Sequence, residues 1–202
     1  MKMNGTIIAA VIGFALTAAM PLAAHSQSAT RGVYVGVGAG EAWAINYPDL
    51  TCTPQATDNC KKTSTVFRFF GGWQFGRNWA LEFAFSDLGK VTASTPGVFD
   101  QSVKARVSEM TIVGSWPTSE RTSLYAKAGA YYGSSSAETT QNGVTTRFTE
   151  ARSNATVAAG VQIFVTPHWA LRAEGQHYYK VGTAIGDINY TVYTAGALFK
   201  FQ

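Results

Sequence analysis

The chain has 202 residues, enough for one domain, with 46% hydrophobic and 13% aromatic content and a mean hydropathy of zero. Its formal charge is +4 with a pI of about 9.1, but the lysines and arginines are scattered and never form a run, which argues against a nucleic-acid partner. Beyond the first segment no stretch approaches the ~20 consecutive apolar residues of a transmembrane helix.

The opening segment reads as an address rather than as structure. Lys2 precedes an apolar run from Ile7 to Leu16, Pro21 breaks it, and small residues lead to Ser26. That order describes a secretory signal peptide over residues 1–26, with cleavage before Gln27, leaving residues 27–202 as the exported domain.

The first strand is expected from Gly32 to Glu41. Val33, Val35, Val37 and Ala39 share one face, and Tyr34, Gly36, Gly38 and Gly40 the other. A dinucleotide-binding loop is excluded, because Glu41 stands where the third glycine of G-x-G-x-x-G would be needed. Residues 42–64 form a polar connection holding Cys52 and Cys60. In an oxidising compartment such a pair is most simply a disulfide, and no second pair or nearby histidine suggests zinc.

A second strand, Thr65 to Phe75, alternates Phe67, Phe69, Gly71, Trp73 and Phe75 with Val66, Arg68, Phe70, Gly72 and Gln74. The turn Gly76-Arg77-Asn78 leads to a third, Trp79 to Asp87, with Glu82 on its inward face. Residues 89–101 read as a further polar connection. The fourth strand runs from about Val103 to Trp116, with Glu109 inward and Lys104 and Arg106 in an upper part that leaves the hydrocarbon. The fifth, Thr122 to Gly133, turns Tyr125, Lys127, Gly129 and Tyr131 inward. Asn142-Gly143, inside polar residues 134–152, is a hairpin signal that lets the flanking strands extend and meet.

Strands six and seven, Val157 to Phe164 and then from Trp169, are joined by Thr166-Pro167-His168. They show the pattern of the whole chain most clearly. Val157, Ala159, Val161, Ile163, Trp169, Leu171 and Ala173 make one apolar face, while Gln162, Arg172, Glu174 and Gln176 sit on the other. No helical pattern exists to cover the apolar face. Apolar outside and polar inside is what a membrane barrel demands. Residues 180–187 are expected as the last loop, and the eighth strand runs from Asn189 to Phe201.

The expected fold is therefore all-β: an eight-stranded antiparallel transmembrane β-barrel behind a cleavable signal peptide. Connections alternate long and short, with short turns periplasmic. Trp73, Phe75, Trp79, Trp116 and Trp169 flank the short turns, and Phe199 and Phe201 close the last strand at the same level. This places an interfacial girdle there.

The stretches from Phe70 to Gly89, Leu124 to Gly129, Gly160 to Gln176 and Ala197 to Phe201, in this order, resemble the transmembrane domain of OmpA-like outer-membrane proteins. The resemblance covers essentially the whole mature chain. It implies a barrel with a polar, largely plugged interior in the outer membrane of a Gram-negative bacterium. The implied role is in envelope integrity, surface attachment or host contact. The implied partners are the lipid bilayer, lipopolysaccharide and the barrel-assembly machinery, with the barrel itself a monomer. Two departures stand out: the chain stops after the barrel, without the peptidoglycan-binding domain, and Gln202 follows the terminal aromatic.

Inside such a barrel Arg68, Lys127, Arg172 and Lys200 face Glu82, Glu109, Glu174 and Gln162, an expected interior polar network. Glu82 with Glu174 could be an acid–base pair, but no cleft is expected around it. His168, in a turn, and His177, read as a loop residue beside Tyr178 and Tyr179, have no serine placed for lipid hydrolysis. No catalytic residue, cofactor or metal is expected. The alternative to a plugged structural barrel is a narrow pore or carrier for small solutes, porin-like or of the OmpW kind.

Overall fold

A computed structural model describes residues 31–45, 59–95, 99–141, 143–183 and 186–201. The signal segment and Cys52 lie outside the described residues. The strands are β1 (Gly32–Ile45), β2 (Asn59–Lys61), β3 (Thr63–Gln74), β4 (Trp79–Thr95) and β5 (Phe99–Pro117). They continue with β6 (Thr122–Gln141), β7 (Val144–Phe164), β8 (Trp169–Thr183) and β9 (Gly186–Lys200). No helix occurs among the described residues.

β1, β3, β4, β5, β6, β7, β8 and β9 pair antiparallel in a ring that β9 closes on β1. Closure leaves no sheet edge at the level where all of these strands pair, so every wall N–H and C=O there finds a partner without water. The short strand β2 continues the line of β3 along β4, where Asn59, Cys60 and Lys61 pair with Ser94, Ala93 and Thr92 on the edge away from β5.

Period-two alternation dictates which side chains meet the lumen. Val35, Phe69, Phe83, Ile112, Leu124 and Leu171 all point outward and stand about half exposed. A continuous apolar belt of that kind would cost a water-soluble protein its solubility, whereas hydrocarbon chains cover it. The interior is filled because inward glycines make room for aromatic rings. A Cβ on Gly72 would come within 2.2 Å of the Tyr34 ring, and one on Gly36 within 2.3 Å of Phe70.

The short connections fall where expected. At each, backbone N–H groups such as those of Phe75 and Gly76 donate to Trp79 O, or those of Val165 and Thr166 to Trp169 O. The long connections differ from expectation. Residues 42–45 belong to β1, and residues 63 and 64 to β3. Most of residues 89–101 continue β4 and begin β5, and most of residues 180–187 belong to β8 and β9. Polar side chains on these stretches removed the apolar signal, but the cross-strand ladder runs on past the hydrocarbon. The hairpin around Gly143, whose φ is 78°, extends β6 and β7 as expected.

Two irregularities break the ladders on this outer side. Between Asp87 and Lys90 two β4 residues, Leu88 and Gly89, occupy the place opposite Ala105. Gly89 has φ 74°, and a Cβ there would lie 2.6 Å from Thr65 O. A second bulge on β8, between Tyr178 and Val181, holds Lys180 at φ 52°.

Candidate functional site

The lumen is the place where chemistry could be held. Inward positions of five strands bring Arg68 (β3), Glu82 (β4), Glu109 (β5), Lys127 (β6), and Arg172 and Glu174 (β8) to one level. Acids and bases match one for one. Arg172 Nη1 donates to Glu82 Oε2 at 2.6 Å, and Lys127 Nζ to Glu82 Oε1 at 3.1 Å. Lys127 Nζ also lies 2.8 Å from Glu174 Oε1. Arg68 binds Glu109, and reaches Glu82 at 3.5 Å and Glu174 at 3.6 Å. The six side chains are almost completely buried, so their charges persist only because each is paired with opposite charge.

Neutral groups complete the layer. Tyr34 OH donates to Glu82 Oε2 at 3.0 Å, Tyr125 OH to Glu174 Oε2 at 2.8 Å, and Tyr178 OH to Glu109 Oε2 at 2.7 Å. Gln176 accepts from Arg68 and donates to Glu109 Oε2 at 2.6 Å and Thr156 Oγ1 at 2.8 Å. The Arg172 guanidinium lies between the Tyr125 ring, 4.1 Å from its centroid, and that of Phe70, 4.9 Å away. Gly160 admits Tyr125, whose hydroxyl would lie 2.4 Å from a Cβ at that position.

The network differs from expectation in its membership and its surroundings. Lys200 stands apart near the short-turn end, donating to Gln74 Oε1 at 2.8 Å. Gln162 is half-buried at that same end, opposite Ser123 and Arg172 in register, and does not join the layer. Gln176 and the three tyrosines do join it. Gln176, Tyr34 and Tyr125 stand at inward positions of the alternation, which was the available signal. Tyr178 stands one alternation beyond Gln176, the last inward position named on that strand, next to His177, which reads as a loop residue. His177 is in fact within β8, its Nδ1 2.9 Å from Thr191 Oγ1. His168 is in the turn, with Nδ1 3.1 Å from Lys200 O and its ring stacked on Phe199.

The lumen is not polar throughout. Towards the long-strand end the layer is covered by a packed apolar cluster including Val66, Leu88, Val107, Tyr131, Tyr178, Val181 and Ile188. Towards the short-turn end it rests on Tyr34, Phe70, Ala84, Val113, Tyr125, Ala170 and Leu198, with Phe164 against them. The order is visible along single strands: Val66, Arg68, Phe70 on β3, and Val107, Glu109, Val113 on β5. Beside Arg172 a pocket of about water size remains, lined by Gly38, Phe70, Thr194 and Gly196 among others. Glu82 and Glu174 are both held in ion pairs within the layer.

The outer surface carries aromatics at both rims. Trp73, Phe75, Trp79, Trp116, Trp169 and Phe201 are exposed around the short turns. Phe199 is half-buried between Trp169, 5.0 Å away, and Phe201, 4.9 Å away. The opposite rim has its own pair, Trp43 and Tyr193, edge to face at 6.0 Å. That pair lies on the outward faces of β1 and β9 and was absent from the expected girdle.

The family model described as "Outer membrane protein beta-barrel domain" matches residues 12–201. None of the curated proteins matches the chain. Among solved structures, similarity extends to Ail of Yersinia pestis in complex with the heparin analogue sucrose octasulfate. Identity is 17% over 85% of this chain and 99% of that one, with a TM-score of 0.57. The Neisserial surface protein NspA is 17% identical over 84% and 97% of the two chains, with a TM-score of 0.56. OprG of Pseudomonas aeruginosa is 11% identical over 88% and 100%, with a TM-score of 0.55. At these identities the likeness is one of fold.

Proposed function

The chain belongs to the outer-membrane protein β-barrel family, and from that membership we propose a structural and surface-interaction barrel whose lumen is closed to solutes. The observation that carries this is the layering of the interior. A desolvated, fully paired charged layer lies between two packed apolar clusters, so an ion would have to shed its hydration twice and break ion pairs between. The folded unit is taken as a monomer that contacts the bilayer and its lipopolysaccharide and is inserted by the barrel-assembly machinery. The outward extension of β6 and β7 supplies the surface for an external ligand. A similar fold in Ail, seen with a sulfated saccharide, supports that kind of use.

A second reading is a carrier for small apolar solutes. It is favoured by the parting of β7 and β8, whose pairing stops at Thr156 and Tyr178, beside the apolar outer cluster. Planar-bilayer recording of the purified barrel tests the first reading, with the expected result that no discrete conductance steps appear. Regular openings, or vesicle uptake of an apolar solute, would overturn it.

A further inference from the structure

Outside the barrel, just beyond the apolar belt, β4 and β5 present Lys90, Lys104 and Arg106 on one exposed face around Asp87. Asp87 Oδ2 lies 3.4 Å from Lys104 Nζ and 3.2 Å from Arg106 Nε, so one carboxylate serves two cations. Lys90 and Lys104 are direct cross-strand partners, a placement of like charges that costs stability unless an anion lies between them.

The bulge at Leu88-Gly89 creates this arrangement. Without it the alternation from Phe83, Phe85 and Asp87 would carry Lys90 to the inward face. With it Lys90 turns outward while Leu88 and Val91 stay buried. The level is also informative. Along tilted β5 the rise from Trp116 to Arg106 is about 25 Å, the height of the apolar band of such barrels. The cations therefore stand where the hydrocarbon of the outer leaflet ends. Glu138, which Lys90 also feels, accepts from Arg147 Nε at 2.8 Å.

The geometry points to a binding site for the phosphates of an anionic glycolipid of the outer leaflet, built by Lys90, Lys104 and Arg106, with Asp87 holding the cations in place when no lipid is bound. This site rests on the outer-membrane placement used above and not on the closed lumen. Conductance and lipid retention are separate readouts, so either reading can fail alone.

The test uses the full exported chain folded in detergent micelles, with bis-phosphorylated lipid A as probe and native mass spectrometry as readout. Dephosphorylated lipid A and inorganic phosphate serve as the two comparison arms. The folded protein is expected to retain the bis-phosphorylated lipid in preference to the dephosphorylated form. The triple variant K90Q/K104Q/R106Q should weaken retention on the order of a hundredfold. Asp87→Asn, which can still accept from Gly89 N–H, removes the competing charge and should strengthen retention several-fold. Unchanged retention in the triple variant overturns the site, as does weaker retention in Asp87→Asn. Inorganic phosphate displacing the lipid at equal concentration overturns its assignment to lipid. Should the triple variant fail to fold, Asp87→Asn decides alone.

Discussion

Glu82 on β4 and Arg172 on β8 belong to strands on opposite sides of the ring, and their side chains meet across the lumen at 2.6 Å. An ion pair that spans the whole interior is a strut as well as a plug. It ties together strands that share no backbone ladder.

Removing one end leaves the other charge buried. Arg172→Ala should destabilise the barrel by about 3–5 kcal/mol, since Glu82 loses its shortest partner and Phe70 and Tyr125 lose the guanidinium between them. The double variant Glu82→Gln with Arg172→Gln should recover part of that loss. Urea unfolding in lipid vesicles measures both, and additive losses would show that the two residues are not coupled.

Gly89 should resist replacement. With φ at 74° and Thr65 O so close, Gly89→Val should cost about 1–3 kcal/mol or shift the β4–β5 register. Unfolding midpoints read the first effect, and disulfide trapping between cysteines placed at positions 90 and 104 reads the second.

The faces of β7 can be tested at adjacent positions. Val161 pairs with Leu124 and Ala173 on the outer face, whereas Gln162 pairs with Ser123 and Arg172 within. Val161→Arg should lower folding into bilayers by roughly 2–4 kcal/mol. Gln162→Arg should be tolerated better, with some cost from crowding. Refolding yields in vesicles in the reverse order would mean the faces are exchanged.

A closed barrel without free edges should migrate faster on a gel before boiling than after. Identical mobility in the two samples would contradict closure.

Cys60 lies in β2, opposite Ala93 of β4 and beyond the level at which β3 pairs with β4. A bond to Cys52 should appear in non-reducing mass spectrometry as the absence of free thiol. The double Cys→Ser variant should still refold to the heat-sensitive form, because that segment lies beyond the hydrocarbon. Failure to refold would place the pair in the barrel's own stability.

The alternation of Phe67, Phe69, Phe83 and Phe85 against Arg68 and Glu82 is local, and it determined the barrel, its faces and the short-turn girdle without any knowledge of pairing. A strand's side-chain period is a property of each segment alone. What the alternation could not reveal was which inward groups meet. Arg172 reaches Glu82 rather than Glu109 through the closure and stagger of the ring, and Lys200 stands apart because its position along β9 sets it at a different depth. The bulge at Gly89 was equally hidden, because one inserted residue is invisible until the strand opposite supplies the count. Lys90 therefore read as a residue of a polar connection, and only its pairing with Lys104 turned it to the outer face beside Arg106.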